Sequence, residues 1–135
     1  MQDGYSCSSA LQSALLANAK LIQMPEGAVL FRRGEPSFGV FLLCKGRISL
    51  RLEATGGSVV VDRTVASGGI VGLPAVLGRR NYSLTAMTIE RSEVALIESG
   101  ALMRTMQSDP RFGLEIVATL GEEVSRMRDI LAEAC

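Results

Sequence analysis

Between Lys20 and Ile97 the chain is cut into short apolar segments by turns that carry glycine or proline, and no other feature limits the fold as much. The breaks fall at Pro25-Glu26-Gly27, Arg33-Gly34-Glu35-Pro36, Lys45-Gly46 and Thr55-Gly56-Gly57-Ser58. Glycine reaches positive φ without steric strain and proline presets a turn, so segments between such breaks read as strands rather than helices. The pattern predicts strands over 20–24, 28–32, 38–44, 47–53, 59–65, 82–88 and 93–97. The run FGVFLLC, from Phe38 to Cys44, is almost unbroken apolar sequence, as in a strand buried on both faces. The next strand alternates, with Ile48, Leu50 and Leu52 facing inward and Arg47, Ser49, Arg51 and Glu53 facing water. Strands this short, turned this regularly, predict a mainly β chain with flanking helices, built on a small jelly-roll or double-stranded β-helix barrel.

The two ends have a different period. Residues 1–8 read as an unstructured N-terminus, and Ser8 or Ser9 caps a short helix with Leu11, Ala14 and Leu15 on one face. A β-roll domain then occupies 9–108, and Ser99 is expected to cap a short helix at its end. Asp109-Pro110 joins an N-cap residue to proline at the first helical position, a strong start signal for a long helix over 109–135. Val117, Leu120, Val124, Met127 and Leu131 recur at spacings of three and four, the seam of a self-associating helix. That seam predicts a homodimer. Packing on the chain's own barrel is the other reading, since Ile116 and Ile130 widen the stripe. Gly113 and Gly121 each weaken the helix by ~1 kcal/mol relative to alanine, so contacts outside the helix must hold it.

Composition removes several classes of function. A length of 135 residues with 47% apolar content fits one domain with one core. The net charge is zero, and Arg79-Arg80 is the nearest thing to a basic stripe, so no DNA contact is expected from this domain itself. No segment has the ~20 apolar residues of a membrane span and none reads as a signal peptide, which predicts a cytoplasmic protein with no membrane partner. The absence of histidine removes Ser-His-Asp catalysis, histidine-ligated haem and histidine metal sites. Three cysteines, Cys7, Cys44 and Cys135, form no CxxC; Cys44 reads as core packing. We therefore expect no catalytic residues, no metal and no cofactor.

The stretch from Ser67 to Ala86, SGGIVGLPAVLGRRNYSLTA, has the layout of a phosphate cassette. A glycine turn leads to a short helix whose N–H groups can face an anion, then to a loop and strand. The candidate pocket comprises Val71, Gly72, Leu73, Pro74, Ala75, Arg80, Tyr82, Ser83 and Leu84. Leu73 and Pro74 directly follow Gly72, and Tyr82 precedes Ser83, so the frame is that of a ligand pocket while the side chains are not those of an anion site.

In this order the pieces resemble the cyclic nucleotide-binding domain of the Crp/Fnr regulators, over about residues 10–132. GAVLFRRGEPSFGVFLLCKGRISL looks like the family's opening, SGGIVGLPAVL with YSLTAMT like its cassette, and EVALIESGALMRTMQSDPRFGLEIV like its last strand and following helices. The resemblance implies a ligand-sensing regulatory domain, dimeric through its long helix, with DNA read only by an attached helix-turn-helix domain. It also implies a glutamate after the cassette glycine for the ribose and an arginine before the small hydroxyl for the cyclic phosphate. Leu73 falls on the first position and Tyr82 on the second. Losing two charge-assisted contacts of about 1.5–3 kcal/mol each weakens binding by roughly a thousandfold or more. Arg80, swung in from the loop, is one replacement for the arginine. Tyr82 reads either as an outward aromatic closing the mouth or, with Leu73, as filling the cavity. Where some members offer a hydroxyl pair to the base, this chain has Met127-Arg128. The exchange Leu73→Glu with Tyr82→Arg is expected to restore anion binding. The alternative is a stand-alone interaction and dimerisation module with a filled pocket; an open cavity favours the sensor of an unknown small molecule, a filled one a protein partner.

Overall fold

A computed structural model of the chain describes residues 8–134. Cys7 and Cys135, and the N-terminal stretch 1–7 read above as unstructured, lie outside the described residues. In order the elements are α1 (Ser9–Leu16), β1 (Lys20–Met24), β2 (Val29–Phe31), β3 (Gly39–Lys45), β4 (Ile48–Glu53), β5 (Val59–Val65), β6 (Ile70–Val71), α2 (Leu73–Gly78), β7 (Thr85–Thr88), β8 (Ser92–Glu98), α3 (Ser99–Ser108) and α4 (Pro110–Ala134). The strands form two antiparallel four-stranded sheets, ordered β1-β8-β3-β6 and β2-β7-β4-β5. This is the mainly β fold with terminal helices that the turns predict. No helix among the described residues is long and apolar enough to cross a membrane.

The unbroken apolar run of β3 is explained by its two faces. Val40 and Leu42 point toward the helices, in a core shared with Leu11, Leu15, Leu102, Phe112 and Ile116. Phe41 and Leu43 point the other way, between the sheets, against Leu50, Val71, Tyr82 and Val94. One strand thus builds half of each core, which is why it has no polar face. Among the partly buried residues Cys44 packs on the helix side, and burial raises its thiol pKa.

Ser8 caps α1 by accepting from the Leu11 N–H at 3.1 Å, although the domain boundary at 1–8 placed it in the unstructured N-terminus. Asp109 caps α4: its Oδ1 accepts from the N–H groups of Arg111 and Phe112 at 3.1 and 3.3 Å. Three local expectations are corrected. Ser99 is the first residue of α3, and Glu98 holds the cap position without a side-chain hydrogen bond. Ser49 is buried and donates to Asp62 at 3.2 Å, because β4 is an internal strand and side chains of its neighbour β5 reach over this position. The strand predicted from Tyr82 begins at Thr85, because Tyr82 is tied to the Arg33–Pro36 turn: its N–H donates to the Glu35 carbonyl and its carbonyl accepts from Gly34.

The long helix turns Phe112, Ile116, Thr119 and Glu123 onto the body of the protein. Of the predicted seam, Val117 is 56% and Val124 48% exposed, and Leu120 is partly buried against the helix-side core. The side chains of Met127 and Leu131 lie outside the described residues.

Candidate functional site

The site begins at the turn between β6 and α2. Gly72 has φ +92°, and a Cβ there would lie 3.2 Å from the Tyr82 ring and 3.3 Å from the Gly39 carbonyl. A side chain at this position is therefore both strained and crowded. The following helix starts with its first residue turned away from the site. Leu73 is fully buried in the helix-side core with Leu11, Leu15 and Ile97, so it does not fill the cavity. Val71 is buried in the core between the sheets.

Tyr82 is the centre of the opposite wall. It is 2% exposed, which excludes the outward reading. Its ring stacks on Phe31 at 3.8 Å and 11°, and meets Phe38 edge-on at 5.6 Å and 81°. Its hydroxyl donates to the Gly39 carbonyl at 2.6 Å and accepts from the N–H groups of Phe38 and Gly39, each at 3.2 Å. Burial pushes the phenol pKa up; the two N–H donors draw it back, and Glu35 raises it. The side chain at the presumed anion position is thus a hydrogen-bonded aromatic plug that ties the loop to the start of β3. Tyr82→Phe leaves the Gly39 carbonyl and two amides without their side-chain partner. We expect a loss of about 1–3 kcal/mol in urea unfolding, with the stack retained. A loss below ~0.5 kcal/mol would show that the hydroxyl does not hold the strand.

Beside this plug lies an open cavity of about 250 Å³. Phe31, Leu50, Pro74, Ala75, Leu84 and Val124 give it an apolar wall, completed by Gly72 and Tyr82, and Ser83, Glu123 and Arg128 supply its polar side chains. Of the residues picked from sequence, Gly72, Pro74, Ala75, Tyr82, Ser83 and Leu84 line it. Val71, Leu73 and Arg80 do not. Arg80 is exposed, and its N–H closes α2 on the Ala75 carbonyl at 2.9 Å; Arg79 before it ends the helix with φ +53°. The predicted replacement of an anion-binding arginine by Arg80 is therefore absent from this geometry. Val124, assigned to the dimer seam, belongs to the cavity wall as well.

The sequence reading missed Phe31, Leu50 and Glu123. Glu123 is 6% exposed and accepts from Arg63 of β5 at 2.5 Å. Burial pushes its carboxyl above the ordinary range, with Arg63 and Arg126 drawing it part of the way back. The pair joins α4 to the β4–β5 hairpin directly behind the cavity. A signal existed: Phe112, Ile116, Thr119 and Glu123 follow the helical period and mark the inward face.

Comparison with known proteins places this geometry. The family model described as "cyclic nucleotide-binding domain" matches residues 21–109. Similar solved structures include the catabolite activator protein of Thermus thermophilus, with a TM-score of 0.79, 17% identity, and coverage of 93% of this chain and 59% of that one. The c-di-GMP responsive global regulator CLP of Xanthomonas campestris gives a TM-score of 0.80 at 19% identity, covering 93% of this chain and 62% of the regulator. A curated protein, lysophospholipase nte1 of Aspergillus oryzae, is 24% identical over 110 residues, 82% of this chain but only 7% of that protein. The chain thus spans less than two thirds of each of these relatives.

Proposed function

Because the chain belongs to the cyclic nucleotide-binding domain family, we propose that it is the sensor domain of a Crp/Fnr-like cytoplasmic regulator whose pocket takes a small molecule other than a conventionally held cyclic nucleotide. The observation that carries this reading is the open cavity walled on one side by the cassette and on the other by α4. Glu123, Val124 and Arg128 all lie on that helix, so an occupant touches it directly. Neither presumed anchor is charged: Leu73 is in the helix-side core and Tyr82 is bonded to backbone. The open volume supports a sensor over an interaction module with a filled pocket. The domain does no chemistry of its own in this reading, and contacts DNA only through an attached domain.

The helix carries the signal as a homodimer. Val117 and Val124 leave an apolar stripe on the outward side of α4, extended by Leu114, which is 72% exposed. Two aspartates there do not disturb the monomer core, because the inward face is formed by Phe112, Ile116, Thr119 and Glu123. Sedimentation equilibrium should give a dimer for the native chain and a monomer for Val117→Asp with Val124→Asp. A dimer that survives both charges would place the interface elsewhere.

A further inference from the structure

The cavity carries one chemical signature beyond its apolar wall. Among the described residues its one carboxylate is Glu123, already bound to Arg63, and Arg126 also acts on it electrostatically. Arg128 stands on the same lining, exposed, and among the described residues it has no carboxylate partner. Ser83, also exposed on the lining, has no hydrogen-bond partner among the described residues. The Tyr82 hydroxyl is not available, since both its donor and acceptor sides serve Phe38 and Gly39. Among its described lining residues the cavity therefore offers an apolar surface with one exposed positive side chain and one exposed hydroxyl. A ribose or a purine edge would find few partners on that wall, and burying its polar groups unpaired is unfavourable.

We propose that the occupant is a small amphiphilic monoanion. Its apolar body lies against Phe31, Leu50, Leu84 and Val124, and its carboxylate or equivalent oxyanion lies at Arg128 and Ser83. An arginine fork matches a carboxylate in two parallel charge-assisted hydrogen bonds, whereas a hydroxyl head offers one uncharged acceptor oxygen and an ammonium none. The inference rests on the sensor reading above, and adds the class of ligand. It also assigns Arg128 a role at the pocket rather than in a solvated helix face.

Octanoate, octanol and octylamine carry the same apolar body with negative, neutral and positive heads. Calorimetric titration of the native chain should show saturable octanoate binding, octanol at least tenfold weaker, and no octylamine binding. Arg128→Gln should weaken octanoate about tenfold and leave octanol unchanged; the residue is exposed, so the variant folds, and circular dichroism verifies it. Equal affinity for octanoate and octanol would overturn the inference, as would an Arg128→Gln variant with undiminished octanoate affinity, or no octanoate saturation up to millimolar ligand. Micromolar cyclic AMP binding would instead overturn the reading beneath it, that the pocket takes a molecule other than a conventionally held cyclic nucleotide, and the two failures are told apart in the same titration series.

Discussion

Glu123→Leu should destabilise the folded chain by about 3–5 kcal/mol, while Arg63→Met combined with Glu123→Leu should be close to neutral or stabilising. The two side chains are 3% and 8% exposed and meet at 2.5 Å. Removing the carboxylate alone leaves a guanidinium buried with no counter-charge, and its Nε already lacks a partner. Replacing both removes two desolvation penalties along with one attraction. The raised pKa of Glu123 points the same way, since burial outweighs the two arginines in deciding its charge state. It also fixes a pH dependence. A carboxyl raised on folding holds more protons in the folded chain than in the unfolded one. Its contribution to stability is therefore complete below the ordinary pKa of 4.5 and is lost as pH rises through the folded value. Urea unfolding of the native chain and the double variant across that range should show this slope in the first and not in the second. If Glu123→Leu and the double variant lose the same stability, the pair is not acting as a buried ion pair.

Leu73→Glu with Tyr82→Arg should fail to create a cyclic nucleotide site, and should cost more than ~4 kcal/mol of stability. The family resemblance alone leads to the opposite expectation. Leu73 is fully buried among Leu11, Leu15, Val40 and Leu102, so a glutamate there places a charge in the core that the helices share with β3. Arginine at 82 removes a ring stacked at 3.8 Å on Phe31 and three hydrogen bonds to the start of β3. Thermal unfolding of the single variants apportions the loss. Should the double variant fold with native stability and bind cyclic AMP, Leu73 does not point into the helix-side core and Tyr82 does not hold the start of β3.

These two cases show where sequence reasoning reaches its limit in this chain. The two-faced strand β3, the glycine turns and the Asp109-Pro110 helix start are local signals, written in consecutive residues, and the fold follows from them. The cassette was legible as a frame for the same reason: Gly72 and the short helix are adjacent in sequence. The direction in which Leu73 points depends on how α2 sits on α1, α3 and α4, which no spacing within the cassette records. The plug formed by Tyr82 depends on Phe31, Phe38 and Gly39, some 43 to 51 positions away. The Arg63–Glu123 pair is 60 positions apart, and each residue on its own reads as an ordinary surface charge. What the sequence left open was therefore the meeting of distant side chains, and the pocket is made of such meetings.

Calorimetric titration with cyclic AMP and cyclic GMP up to millimolar ligand decides most directly whether this pocket has left conventional cyclic nucleotide binding behind. The geometry of Leu73 and Tyr82 predicts no saturable heat from either nucleotide while the protein remains folded. Saturable binding at micromolar ligand would contradict it, and would mean that the cassette backbone, Ser83 and Arg128 hold the cyclic phosphate without the usual anchors.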